Sequence, residues 1–224
     1  MAAMMSHAAR GANKRHPARD KLTLLMFLTH HNLLIRIATG WCIGLLLLFG
    51  AWTASYAWLP VGALRSWSRL SSGFPLALSG AEVGWSLVLG IFAWNLVFAV
   101  GLIVLSSFFR VGRFPLGYLP AWIVCLFYGG LLGTNSFASA TSSGPQGPSV
   151  MIVWTHAGVR ELTAYLLVAA ALTNLALWRQ RSWWSMRIER IRQWRDLYLS
   201  WAEVLCLVVA LGLLAWAAYV EVFW

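Results

Sequence analysis

Apolar residues run in long blocks separated by short stretches rich in arginine, tryptophan, glycine or proline. Windows of roughly 20 residues, the length that crosses hydrocarbon as a helix, predict five transmembrane helices at about 37–59, 85–107, 116–136, 157–178 and 198–222. Glycine and proline inside these blocks do not demote them, because neighbouring helices can satisfy the freed backbone groups. The expected fold class is therefore an all-α polytopic membrane protein, about five transmembrane helices plus interfacial amphipathic helices. Residues 37–224 would form one transmembrane domain.

The segments between the blocks carry their own patterns. Residues 1–19 mix small and basic residues and read as a disordered basic cytoplasmic tail. No stretch resembles a cleavable signal peptide, so this tail is expected to stay on the mature chain. From Asp20 to Arg36, DKLTLLMFLTHHNLLIR has an aspartate placed as an N-cap and a strong apolar face, the pattern of an interfacial helix feeding the first span. His30 and His31 fit headgroup-level positions, with metal or pigment ligation as the alternative. The segment 60–82 is expected to rest on the outer interface or fold back on the bundle, and ATSSGPQGPS, residues 140–149, reads as a connecting loop. Between the fourth and fifth spans, residues 179–196 place Trp184, Ile188, Ile191 and Trp194 at helical spacing, surrounded by Arg179, Arg181, Arg187, Arg190, Arg192 and Arg195. That predicts a basic amphipathic helix on the membrane surface, for anionic-lipid anchoring or docking of a cytoplasmic partner.

Charge then orients the chain. Six lysines and arginines precede the first span, two lie between the second and third, and six between the fourth and fifth. The opposite side carries Arg65 and Arg69, with Arg160 beside span four. The positive-inside rule puts the N-terminus in the cytoplasm and the C-terminus outside, across an inner (cytoplasmic or thylakoid-type) membrane. The net charge of +10 is thus mostly a topology signal. A nucleic-acid partner is not expected, since the basic residues flank spans instead of forming a soluble base-reading surface.

Among 15 tryptophans, Trp58, Trp85, Trp178, Trp183, Trp184 and Trp224 fall at span ends, where aromatic belts form. Trp94, Trp122 and Trp216 lie deeper, against lipid, pigment or another subunit. Cys42, Cys125 and Cys206 are far apart and show no metal-ligand spacing, so no metal is expected and no cofactor can be assigned.

The polar residues within the spans are the candidates for function, because a charge in hydrocarbon is costly unless paired or used. Asn95, Asn135, Ser136, His156, Arg160, Glu161 and Glu203 form the expected intramembrane polar cluster. Asn95 is suited to bonding a neighbouring helix. His156 and Arg160 share a helix face, whereas Glu161 points elsewhere and needs a partner from another element, with Asn135, Ser136 and Glu221 as possible neighbours. Glu161 has two readings: an anion at a helix N-terminus, with Arg160 snorkelling outward, or a buried carboxylate that closes a cluster, gates a pathway or relays protons. Glu203 has the same two from the cytoplasmic side. Gly129, Gly130, Gly133 and Gly158 are helix-packing candidates, Gly129 and Gly133 matching GxxxG. A Ser136–His156 dyad lacks a nucleophile motif and oxyanion donors, so no catalytic residue is assigned and the chain is not expected to be an enzyme.

The ordered series FAWNLVFAVGL, FPLGYLPAWIVCLFYGGLLGTNSF, a Gly-Pro loop and GVRELTAYLLVAAALTNLAL resembles the stage II sporulation protein M (SpoIIM-like) family of integral membrane proteins, over roughly residues 85–222. Asn95, Gly130, Gly133, Gly158 and Glu161 match the family's pattern. The chain departs from it at Trp94, where the family often has a second Asn, and at Ala157, where it commonly has a His. The resemblance implies a subunit of a membrane complex, which in spore formers remodels the cell envelope during engulfment.

The function expected from all this is a non-enzymatic integral membrane subunit that packs against itself as a homo-oligomer or against other integral membrane proteins. One alternative is a channel or transporter component in which Asn95, Glu161 and Glu203 line a polar path. Another is an accessory subunit of a respiratory or photosynthetic complex.

Overall fold

The computed structural model describes residues 24–67, 84–136 and 158–223, and over these the chain is mostly helical. The helices are α1 (Leu24–Leu28), α2 (Leu33–Trp58), α3 (Trp85–Ser107), α4 (Tyr118–Gly133), α5 (Gly158–Leu172) and α6 (Trp201–Phe223). Three of them, α2, α3 and α6, are long and apolar enough to cross a membrane. Sixteen-residue α4 and fifteen-residue α5 are shorter. At about 1.5 Å per residue they reach roughly 22–24 Å, less than the ~30 Å of a hydrocarbon core.

Burial explains how the short helices are accommodated. Eleven of the fifteen residues of α5 are buried, and the partly exposed Val159, Arg160, Thr163 and Leu167 share one side, so α5 is the most enclosed of the helices. The long helices turn large apolar side chains outward, including Leu46 on α2, Val97 and Leu105 on α3, and Leu205 and Trp216 on α6. Exposed apolar surface on this scale suits lipid rather than water.

Small residues set the closest approach. Gly40 and Gly44 of α2 lie against Tyr118 and against Cys125 and Trp122 of α4. Farther along, Gly129 and Gly133 lie against the backbone of Leu48 and Trp52 on α2. A Cβ at Gly129 would collide with the Leu48 carbonyl, so glycine is required there. The order of these contacts makes α2 and α4 parallel neighbours. Helix α6 runs antiparallel to α5, since the Cys206 thiol donates to the Leu167 carbonyl (3.6 Å) while Glu203 meets Asn174. It also runs antiparallel to α3, with Trp85 beside Tyr219 and Phe223.

The segment expected as a single interfacial helix from Asp20 to Arg36 is broken within its described part. Helix α1 ends at Leu28, and Asn32 starts α2 as an N-cap, its Oδ1 accepting from the Leu34 N–H (2.9 Å). Arg36 therefore belongs to α2, and it is buried. Asp20, the tail 1–19, residues 68–83 and the loop 140–149 lie outside the described residues.

The all-α expectation is corrected by a small four-stranded sheet, ordered β2-β1-β3-β4, of β1 (Phe109–Val111), β2 (Phe114–Pro115), β3 (Trp178–Gln180) and β4 (Ile188–Arg190). The basic helix predicted at 179–196 is instead the β3–β4 hairpin followed by a 3-10 turn at Trp194–Asp196. The physical reason is a partner distant in sequence: β3 pairs in parallel with β1, Arg110 opposite Arg179. Ring contacts reinforce the ladder, Phe109 stacking on Trp178 at 5.0 Å and Phe108 meeting Trp194 at 5.2 Å. Phe108, Phe109 and Arg110 lie far outside 179–196, so the spacing within that segment cannot show them.

Candidate functional site

The polar residues of the bundle separate into two buried clusters at opposite ends of α5. The first centres on Glu161, in the first turn of α5 and 5% exposed. Asn95 Nδ2 donates to its Oε1 (2.7 Å), and the Tyr128 hydroxyl donates to its Oε2. One carboxylate thus joins α3, α4 and α5. Gly158 makes this possible: a Cβ there would stand 2.8 Å from the Tyr128 ring, so its absence admits the ring whose hydroxyl reaches Glu161 one turn on. Asn95 opens a π-helical stretch, Asn95–Val100, in an otherwise α-helical rod. Such wide turns are frequent at functional positions in helices.

Tyr128 was not singled out in the sequence. Its signal is only the Tyr-Gly-Gly step within an apolar block, and which helix a tyrosine faces is not written in its own segment.

Of the residues expected beside Glu161, Glu221 of α6 is near enough for the two carboxylates to act on each other, whereas Asn135 and Ser136 have other roles. Ser136 N–H donates to the Leu131 carbonyl (2.9 Å) and Asn135 N–H to the Leu132 carbonyl (3.3 Å), the paired bonds of a Schellman helix end. Asn135 adopts the left-handed conformation that the motif demands, with φ 47°. Ser136 Oγ accepts from the Leu64 N–H (3.0 Å), and the Thr134 carbonyl accepts from Gly62 N–H (2.6 Å). These two residues close the end of α4 onto the turn after α2. Gly130 also faces that turn, against Leu64. Arg160 is half-buried on the flank of α5, and His156 lies outside the described residues.

The second cluster surrounds Glu203. Ser200 and Glu203 form a reciprocal cap at the start of α6: Glu203 N–H donates to Ser200 Oγ (3.3 Å), and Ser200 N–H donates to Glu203 Oε2 (2.9 Å). The other carboxylate oxygen accepts from Arg36 Nη2 at 2.6 Å and from Asn174 Nδ2 at 3.3 Å. Both side chains of the Arg36–Glu203 pair are nearly inaccessible, at 2% and 6% exposure. The Ser200-Trp-Ala-Glu203 spacing carries a capping-box signal that the sequence reading passed over, whereas nothing local points to the arginine 167 positions away.

Two more arginines converge here on the end of α5. Arg110 Nη2 donates to the Thr173 carbonyl (2.6 Å) and Arg192 Nη1 to the Asn174 carbonyl (2.7 Å). Burial, followed by the charges of Arg192 and Arg36, pulls the Arg110 guanidinium below its ordinary pKa. Of the remaining hairpin arginines, Arg179 pairs loosely with Glu189 at 3.5 Å, Arg190 reaches the Arg192 carbonyl, and Arg195 reaches Gln193. Arg181 and Arg187 are exposed.

Between the clusters, Leu162, Leu166, Val168, Ala169, Ala170 and Ala171 are buried and apolar. Glu161 and Glu203 therefore do not line one polar path in this conformation. Among the described residues, no three histidine, cysteine or acidic side chains gather as a metal site. The rings of His30 and His31 lie 4.1 Å apart and tilted by 35°, with His30 Nδ1 accepting from the Asn32 N–H (3.1 Å).

No protein-family model matches the chain, and neither the curated proteins nor the solved structures contain a match.

Proposed function

We propose that this chain is a non-enzymatic, sealed integral membrane subunit that acts by assembling with itself or with other membrane proteins. The observation that carries the proposal is the state of Glu161: the carboxylate is held by Asn95 and Tyr128 and cut off from Glu203 by the apolar middle of α5. Intramembrane polar groups so satisfied hold helices together.

The subunit has five spans, α4 and α5 completing the set with α2, α3 and α6. The parallel pairing of α2 with α4 and the antiparallel pairing of α6 with α5 and α3 support this serpentine course. The N-terminus is cytoplasmic and the C-terminus outside an inner membrane, on the strength of the arginine count. Likeness to the stage II sporulation protein M family rests on Asn95, Gly130, Gly133, Gly158 and Glu161, and it favours a role within a larger membrane complex. Native mass spectrometry after gentle extraction tests the reading. A stoichiometric partner or a homo-oligomer is expected, and a lone monomer would refute it.

A second reading, transport, is favoured by the π-helical turn that begins at Asn95, because such turns can rearrange. Proteoliposomes separate the two. Ion or proton flux abolished by Glu161→Gln would establish transport, and a membrane left equally tight by both forms would exclude it.

A further inference from the structure

Arg36, Arg110 and Arg192 reach the same short stretch of backbone from three different elements. Arg110 and Arg192 bond the consecutive carbonyls of Thr173 and Asn174, and the Asn174 side chain shares the Glu203 oxygen that receives Arg36. Capping the C-terminal carbonyls of a helix is a reasonable use for an arginine. Here it employs a single nitrogen of each of Arg110 and Arg192, although a guanidinium carries five donors. Buried Nε and Nη1 of Arg36 and buried Nε of Arg110 find no hydrogen-bond partner among the described residues. Arg36 is itself only 1% exposed. Arg36 is neutralised by Glu203, whereas half-buried Arg110 feels the like charges of Arg192 and Arg36, so positive charge is in local surplus at the end of α5.

We infer that this cluster is a binding site for a phosphate group, held by the outer guanidinium groups of Arg110 and Arg192 with Arg36 behind them. Guanidinium forks match phosphate oxygens in paired hydrogen bonds, and a phosphate supplies the charge that the cluster lacks. The site lies where α3 and α5 end and α6 begins, beside the rings of Phe109, Trp178 and Trp194 and the exposed Trp184, Met186 and Ile188 of the hairpin. An aromatic and arginine-rich end of a membrane bundle is the level of lipid headgroups. The phosphate thus belongs either to an anionic lipid or to a soluble phosphate compound.

The test uses the full chain, purified and exchanged into nanodiscs of phosphatidylcholine containing phosphatidylglycerol, and reads retained lipid by native mass spectrometry. Wild type is expected to retain one phosphatidylglycerol, and the Arg110→Gln/Arg192→Gln variant to lose about tenfold in retention. The exposed pair Arg181→Gln/Arg187→Gln should retain it as wild type does. In a second arm, inorganic phosphate is added to delipidated protein. Thermal stabilisation of wild type but not of Arg110→Gln/Arg192→Gln, with no lipid retained, identifies a soluble source. Equal loss in both arginine pairs would reduce the site to general surface charge and overturn it. Absence of both lipid retention and phosphate stabilisation in wild type would overturn it as well. Should the double variant fail to fold, Arg192→Gln, at an exposed position, carries the comparison alone.

Discussion

At the scale of single residues, the buried pair Arg36–Glu203 has the most at stake. Each ion loses its water on entering the bundle, and only its partner and a few hydrogen bonds offset that loss. Glu203→Gln is therefore expected to destabilise the protein by about 3–5 kcal/mol in detergent unfolding, because it leaves the buried charge of Arg36 without a counter-charge. The apolar double substitution Arg36→Met/Glu203→Leu should cost less than either change singly, and a double-mutant cycle measures the difference. Tyr128→Phe removes one donor to Glu161 and is expected to cost about 1–2 kcal/mol, the range for a hydrogen bond to a charged group inside a helical bundle. A melting temperature unchanged by Tyr128→Phe would mean that the Tyr128–Glu161 contact contributes nothing.

At the scale of elements, the glycines divide by what they face. Gly129 and Gly133 lie on the α2 backbone, whereas nothing stands within 4 Å of a Cβ added at Gly50 or Gly212. Gly129→Val should force α2 and α4 apart and lower the melting temperature sharply. Gly212→Ala should be neutral or slightly stabilising, since alanine favours a helix over glycine. Matching losses at both positions would sink the claim that α2 and α4 are in backbone contact. The apolar blocks at 85–107 and 198–222 were readable to within a few residues of α3 and α6, because a span's composition is local. Strands β1 and β3 were not readable, because each is three residues long and exists through the other. For the same reason Asn95 and Glu161 could be picked out as intramembrane polar residues without their bond being visible. Spacing gives a side chain's direction around its own helix, and the facing helix is set by the whole bundle. Asn135 is the converse: its polarity suggested the cluster, whereas it forms the cap at the glycine-rich end of α4, a role the sequence reading did not assign.

At the scale of the whole molecule, the two ends of the bundle differ in kind. One end is tied by Ser136 and Thr134 to the turn at 62–64. The other carries the sheet, the hairpin and the arginine cluster. With Cys42, Cys125 and Cys206 replaced by alanine, single cysteines at Val61 and Ser185 are expected to react with impermeant maleimide from opposite faces of sealed vesicles, Ser185 from the cytoplasmic face. Labelling of both from one face would refute the five-span course.

The Arg36–Glu203 bond also bears on how the chain is made. Its partners are 167 positions apart, and those of Asn95–Glu161 are 66 apart. A ribosome adds roughly 5–20 residues per second, so Arg36 waits on the order of ten seconds or more for its carboxylate after emerging. During that interval α2 carries an unneutralised cation near its start, and α6, made much later, is the helix that neutralises it. Synthesis of α6 is thereby coupled to acceptance of α2, and a nascent protein stalled before α6 would present a bare arginine to the insertion and quality-control machinery of the membrane.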